Sequence, residues 1–131
     1  MTTPTDTVRS FYAALSRGDV PGVLALLHDE LAWTEAERFP YYGGTWHSPQ
    51  EVLDNLLKPL ARDWDGFAAK ANDYIAQGDR VVSLGAYSGT YKANGRWMEA
   101  PFAHVWSVRD GRISRFDMYA DTAKVLEAIR G

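Results

Sequence analysis

The 131-residue chain contains no cysteine. That absence excludes a disulfide framework, a thiol nucleophile and a thiolate metal site, and it is compatible with a reducing cytoplasm, the location expected here. Only three histidines occur, His28, His47 and His104. They are dispersed and follow no ligand spacing of the His-Glu-x-x-His kind, so no metal is expected. No apolar run is long enough to cross a bilayer, and the polar N-terminus lacks the basic and apolar regions of a secretory signal, so no membrane partner is expected. An excess of positive charge is also missing: the net charge is −3, the pI is near 5.5, and no Lys/Arg cluster interleaves with aromatics. Nucleic acid is therefore discounted as a partner. There is no Gly-rich phosphate loop, no Gly-x-Ser-x-Gly elbow and no cofactor signature, so no cofactor is expected.

What remains is an ordinary globular balance, 46% hydrophobic and 24% charged, with a high aromatic share of 13%. The length suits one domain, residues 1–131, with a single core and disorder confined to Met1-Thr2-Thr3-Pro4. Five Trp, seven Tyr and five Phe permit a ligand cavity without requiring one.

Val8, Phe11, Tyr12 and Leu15 recur at helical spacing, with Thr5 or Asp6 as cap and Gly18 as stop. A second short helix starts at Asp19-Val20-Pro21 and offers Val23, Leu24, Leu26 and Leu27 for burial. After a strand ending near Glu35, residues 36–47 read as a loop with aromatic anchors. Ser48, Pro49 and Glu51 open a third helix with a capping-box pattern, which Pro59 should kink or shorten. Four strands follow, Phe67 to Ala76, Arg80 to Lys92, Arg96 to Val108 and Arg112 to Tyr119, divided by Gln77-Gly78-Asp79, Ala93-Asn94-Gly95 and Arg109-Asp110-Gly111. Asp121 caps a last helix. Helices first and consecutive antiparallel strands after make an α+β domain with helices on one face of a curved sheet.

Glu35 stands out. In Leu31-Ala32-Trp33-Thr34-Glu35 the alternation of a strand puts the carboxylate on the face of Leu31 and Trp33. Either it leans into solvent at the strand end, or it is buried with a raised pKa suited to proton transfer.

Val8-Arg9-Ser10-Phe11-Tyr12-Ala13-Ala14-Leu15, Gly18-Asp19 and Val23-Leu24-Ala25-Leu26-Leu27 resemble the opening helices of the ketosteroid isomerase and SnoaL-like branches of the nuclear transport factor 2-like superfamily. Ala100-Pro101-Phe102-Ala103-His104-Val105-Trp106, Asp110-Gly111-Arg112-Ile113 and Phe116-Asp117-Met118-Tyr119-Ala120-Asp121-Thr122 are similar to the closing strands of ketosteroid isomerase-related proteins. The resemblance implies a cone-shaped, strongly curved, mostly antiparallel sheet with N-terminal helices enclosing a pocket, the cystatin-like architecture. It also implies frequent homodimers through the outer sheet face. It does not select among isomerases, cyclases, hydrolases, dehydratases and binding proteins.

Carried over by position, the resemblance places Glu35 where the isomerases hold their general base. Their oxyanion-hole tyrosine corresponds to Phe11, and Tyr12 should point about 100° away around the helix. Their late-strand acid corresponds to His104 if the following turn is one residue shorter, or to Ala103 without a gap. His104 is preferred because it shares a face with Phe102 and Trp106; the alternative is a histidine hydrogen-bonded in the wall or on the outer face. Met118 stands where cyclases and epoxide-hydrolase-like members carry a catalytic aspartate, which argues against the epoxide-hydrolase mechanism. Asp117 should face away, and Asp121 reads as a cap.

Trp33, Tyr41, Tyr42, Trp46, Phe102, Trp106, Phe116 and Met118 are the expected ligand-binding wall. Tyr87 shares a strand face with Gly85, Gly89 and Tyr91, a pattern of close packing or a pocket tyrosine. Two functions follow. One is cofactor-free isomerase, cyclase or lyase chemistry with Glu35 as general base and His104 as polar or oxyanion partner. The other is non-catalytic binding of a small hydrophobic or aromatic ligand, with Glu35 and His104 as an ion pair or a hydrogen-bonded pair that orients it.

Overall fold

The computed structural model describes residues 2–131. Helix α1 (Pro4–Arg17) begins earlier than its apolar spacing alone indicates. Thr3 is the cap: its hydroxyl accepts from the Asp6 N–H while Asp6 accepts from the Thr3 N–H, a reciprocal capping box that orders part of the stretch expected to be loose. Met1 lies outside the described residues. Gly18, with φ of 68°, ends the helix in the left-handed region. Asp19 caps α2 (Val20–Ala25), in which Val23 is the buried residue; Leu27 already belongs to the first strand.

Strand β1 (Leu27–Thr34) leads into the loop and a two-residue strand, β2 (Thr45–Trp46), that pairs back on it. Ser48 then caps α3 (Pro49–Val52). Helix continues through a π segment (Leu53–Leu57) into α4 (Lys58–Asp63) despite Pro59. The Lys58 N–H reaches back five residues to the Leu53 carbonyl. This wider turn absorbs a proline that lacks a donor and would otherwise press on the carbonyl four residues before it. Among the described residues no helix is long and apolar enough to cross a membrane.

Four long strands complete the sheet: β3 (Trp64–Gln77), β4 (Arg80–Tyr91), β5 (Trp97–Arg109) and β6 (Arg112–Ala120). Helix α5 (Thr122–Arg130), capped by Asp121, packs on β5. The order is β2-β1-β6-β5-β4-β3, antiparallel except for the parallel β1–β6 pair. The sheet is curled but unclosed. Its curl has a local cause, because β3 slips register twice against β4, between Asp65 and Ala68 and between Ala71 and Asp73. A glycine of β4 faces each slip. A Cβ on Gly85 would fall 2.0 Å from the Lys70 carbonyl oxygen, and one on Gly89 would fall 3.2 Å from the Phe67 Cα. Small residues opposite bulges let β3 bend over the inner face, where α1 and the π segment complete a cone.

Candidate active site

The cone encloses a cavity of about 670 Å³. Phe11, Trp33, Phe39, Trp106 and Phe116 supply much of its wall, with Leu56 and Leu57 of the π segment and Leu60 of α4 adding to the lining. Of the polar side chains in its lining, Tyr12, Glu35, Tyr87 and His104 are buried.

The alternation of β1 carries inward past its last residue, so Leu31, Trp33 and Glu35 are all buried, with Glu35 only 4% exposed. The solvent-facing reading of Glu35 is therefore set aside. Trp33 stacks on Phe116 with ring centres 3.9 Å apart, and its indole N–H donates to Glu35 Oε2 at 3.3 Å. Loss of hydration pushes the Glu35 pKa up to about 8, and the indole hydrogen bond opposes that rise. At neutral pH the carboxyl is mostly a neutral acid, and once ionised it is a stronger base than an ordinary carboxylate.

His104 is paired in register with Ser83 on β4 and Met118 on β6. It is buried on the inner face, while Ala103 lies half-exposed on the other. Its ring lies flat on Phe102, 3.8 Å between centres. Both nitrogens are engaged: Nδ1 lies 2.5 Å from the Tyr12 hydroxyl and Nε2 lies 2.6 Å from the Tyr87 hydroxyl. Tyr12 also meets Ser83 Oγ at 2.7 Å, to which the Trp106 indole N–H donates at 2.9 Å. Burial holds the His104 pKa well below its usual value and raises those of Tyr12 and Tyr87. Both ring nitrogens meet tyrosines and the Glu35 carboxyl meets Trp33, so among the described residues neither an ion pair nor a hydrogen bond joins His104 to Glu35, in contrast to the expected pairing.

The expected wall is only partly assembled. Trp33, Trp106 and Phe116 line the cavity. Phe102 is buried behind His104, and Trp46 is buried opposite Trp33 on β2; neither lines it. Met118 is buried but turns to a separate hollow of about 230 Å³ that also touches Glu35. Tyr41 is diverted: its hydroxyl donates to Asp63 at 2.8 Å and accepts from the Trp64 indole N–H at 3.1 Å, tying the loop to the start of β3. Tyr42 is exposed, because the tight turn from Phe39 to Tyr42 spends its inward position on Phe39. Asp117 faces away and pairs with Arg115 at 2.9 Å.

Tyr12 corrects a helical-wheel argument. The buried residues Thr7, Val8, Phe11, Tyr12 and Ala14 of α1 span an arc of roughly 160° at 100° per residue, wide enough for both aromatics to face inward. Tyr87 and Ser83 carried a legible signal, a run of inward β4 positions from Val81 to Tyr87. Phe39 sits in irregular backbone, where no periodicity points inward.

The family model for the SnoaL-like domain matches residues 8–116 of this chain. The chain belongs to the SnoaL-like family. Its fold is that of an NTF2-like protein from Burkholderia thailandensis E264, with 37% identity, a TM-score of 0.94 and full coverage of both chains. TerC, crystallised with polyporic acid, is 25% identical over 98% of each chain, with a TM-score of 0.86. IdmH of Streptomyces antibioticus, a candidate polyketide cyclase, shares the fold at 21% identity and a TM-score of 0.81, over 98% of this chain and 99% of its own. Among curated proteins none matches. This SnoaL-like chain is thus a small-molecule pocket fold.

Proposed function

We propose that this SnoaL-like protein performs cofactor-free proton transfer next to a carbonyl, as an isomerase, cyclase or lyase, with Glu35 as general base. The observation that carries the reading is a carboxyl buried in an apolar cavity, its pKa raised to about 8 and one hydrogen bond from Trp33 holding its aim. His104 is its polar counterpart across the cavity. The aromatic wall suits a flat hydrophobic or aromatic substrate, and the likeness to TerC crystallised with polyporic acid supports that class. Two copies associate through the outer sheet face, where Trp97 and Tyr119 stand exposed.

Non-catalytic binding is the second reading. It is favoured by one observation, that both His104 nitrogens are already spent within the protein. Deuterium exchange at the α-carbon of a panel of enolisable aromatic ketones separates the two. Catalysed exchange that Glu35→Gln abolishes supports the base. Binding of the same ketones with no exchange above the Glu35→Gln background leaves the binding reading.

A further inference from the structure

The hydrogen bonds behind the cavity wall have a definite sense, and a tryptophan sets it. The Trp106 indole nitrogen can only donate, and its acceptor is Ser83 Oγ. Ser83 is fully buried, and among the described residues the Tyr12 hydroxyl is its one remaining side-chain partner. The Ser83 proton therefore goes to Tyr12. Having accepted there, Tyr12 gives its own proton to His104 Nδ1. A neutral imidazole with a bare Nδ1 carries its hydrogen on Nε2, which donates to the Tyr87 oxygen. The Tyr87 proton is then left without a partner among the described residues, on the wall of the cavity that Glu35 also lines. The reverse sense would put the imidazole hydrogen on Nδ1 and strand the buried Ser83 proton without an acceptor, the costly arrangement.

We propose that Tyr87, not His104, donates the hydrogen bond to the ligand, and that the ligand presents an enolisable carbonyl or an oxygen anion on a flat apolar body. His104 is then a positioning residue, which aims the Tyr87 hydroxyl and fixes its free proton toward the cavity. The proposal rests on reading the cavity as a site of enolate formation. In that step Glu35 takes the α-proton, the C–H electron pair becomes the new C=C bond, and the carbonyl π pair moves onto oxygen. The developing charge is met by the Tyr87 O–H, which keeps its proton because burial raises its pKa. Where the enolate is conjugated, return of the proton from Glu35 to the far carbon completes an isomerisation: the far C=C supplies the new C–H bond, the enolate C=C shifts one bond along, and the oxygen pair re-forms the C=O; return to the α-carbon gives exchange alone.

Nitrogen-15 spectra of the His104 ring in the whole wild-type protein test the sense of the chain without any variant. The expected result is a neutral ring with Nε2 protonated and Nδ1 bare; a ring protonated at Nδ1 overturns the proposal. Binding of 4-nitrophenolate and of nitrobenzene is then compared in the Glu35→Gln background, where no carboxylate repels the anion. Adding Tyr87→Phe should weaken 4-nitrophenolate about 10- to 100-fold and leave nitrobenzene within about twofold, as loss of one hydrogen bond to a charged oxygen requires. Equal loss for both probes, or none for the phenolate, overturns the proposal. Failure of the proton-transfer reading looks different: no α-exchange, with the tautomer and the phenolate preference intact.

Discussion

Trp33 and Glu35 stand two residues apart at the end of β1 and are joined by a hydrogen bond from indole N–H to carboxyl Oε2 at 3.3 Å. The stacking of Trp33 on Phe116 fixes the donor, so the aromatic wall itself sets the aim of the acid. Trp33→Phe keeps much of the stack and removes the donor. Because that hydrogen bond lowers the Glu35 pKa, the variant should titrate above the wild-type value of about 8, seen in the carboxyl carbon-13 signal of Glu35. A pKa at or below the wild-type value would count against this role.

The buried acid also makes folding depend on pH. The Glu35 pKa is raised from 4.5 to about 8, so the folded state holds a proton that the unfolded state releases. The Glu35 contribution is fully present below pH 4.5 and is lost as pH rises through 8, a difference of several kcal/mol across the window. Glu35→Gln removes the titration. Urea melts should show the variant gaining on the wild type from pH 5 to pH 9; parallel curves would sink the assignment.

His104 adds a loss at the opposite end. Its depressed pKa means that stability present above pH 6.5 falls as acid forces a charge into the wall. Between pH 6.5 and 4.5 the gain at Glu35 opposes this loss, so it is read against Glu35→Gln in the same melts: that variant should lose stability below pH 6.5, and adding His104→Asn should reduce the loss.

Ser83 is the smallest member of the network and the one on which its direction depends. Ser83→Ala leaves the Trp106 N–H without its acceptor and Tyr12 without its donor. A cost of about 1–3 kcal/mol is expected by denaturant unfolding, with the cavity volume nearly unchanged.

The two β4 glycines should differ. An added methyl at Gly85 meets a backbone carbonyl at 2.0 Å, so Gly85→Ala must shift β3 and should cost several kcal/mol. At Gly89 the nearest atom is at 3.2 Å, and the alanine variant should cost about 1 kcal/mol or less. Thermal melts of the pair distinguish the sites, and equal losses would remove Gly85 from its role in the bend.

Much of this was legible along the chain. Alternation placed Glu35 with Leu31 and Trp33, and Phe102, His104 and Trp106 on one face, because strand geometry is local. The turns at Gly78, Asn94-Gly95 and Asp110-Gly111 were legible for the same reason. The loop aromatics were not: Tyr41, Tyr42 and Trp46 share a composition, and only the packing of the folded loop decides that Phe39 goes inward and Tyr42 outward. Tyr12 was misjudged because a helix wheel gives angles but not the width of the surface that covers them. The Tyr12–His104–Tyr87 chain joins residues up to 92 positions apart, a relation no local pattern contains.

The parallel seam between β1 and β6 has a kinetic consequence. Register pairs such as Trp33 with Phe116 and Thr34 with Asp117 join the first strand to the last, so the cone shuts only by a contact that spans most of the sequence. Until β6 seats, Glu35 has no Phe116 behind its tryptophan and titrates like any glutamate in water. The unusual acidity of the site is therefore acquired late in folding, and a proton must be taken up from solvent as that seam closes near neutral pH.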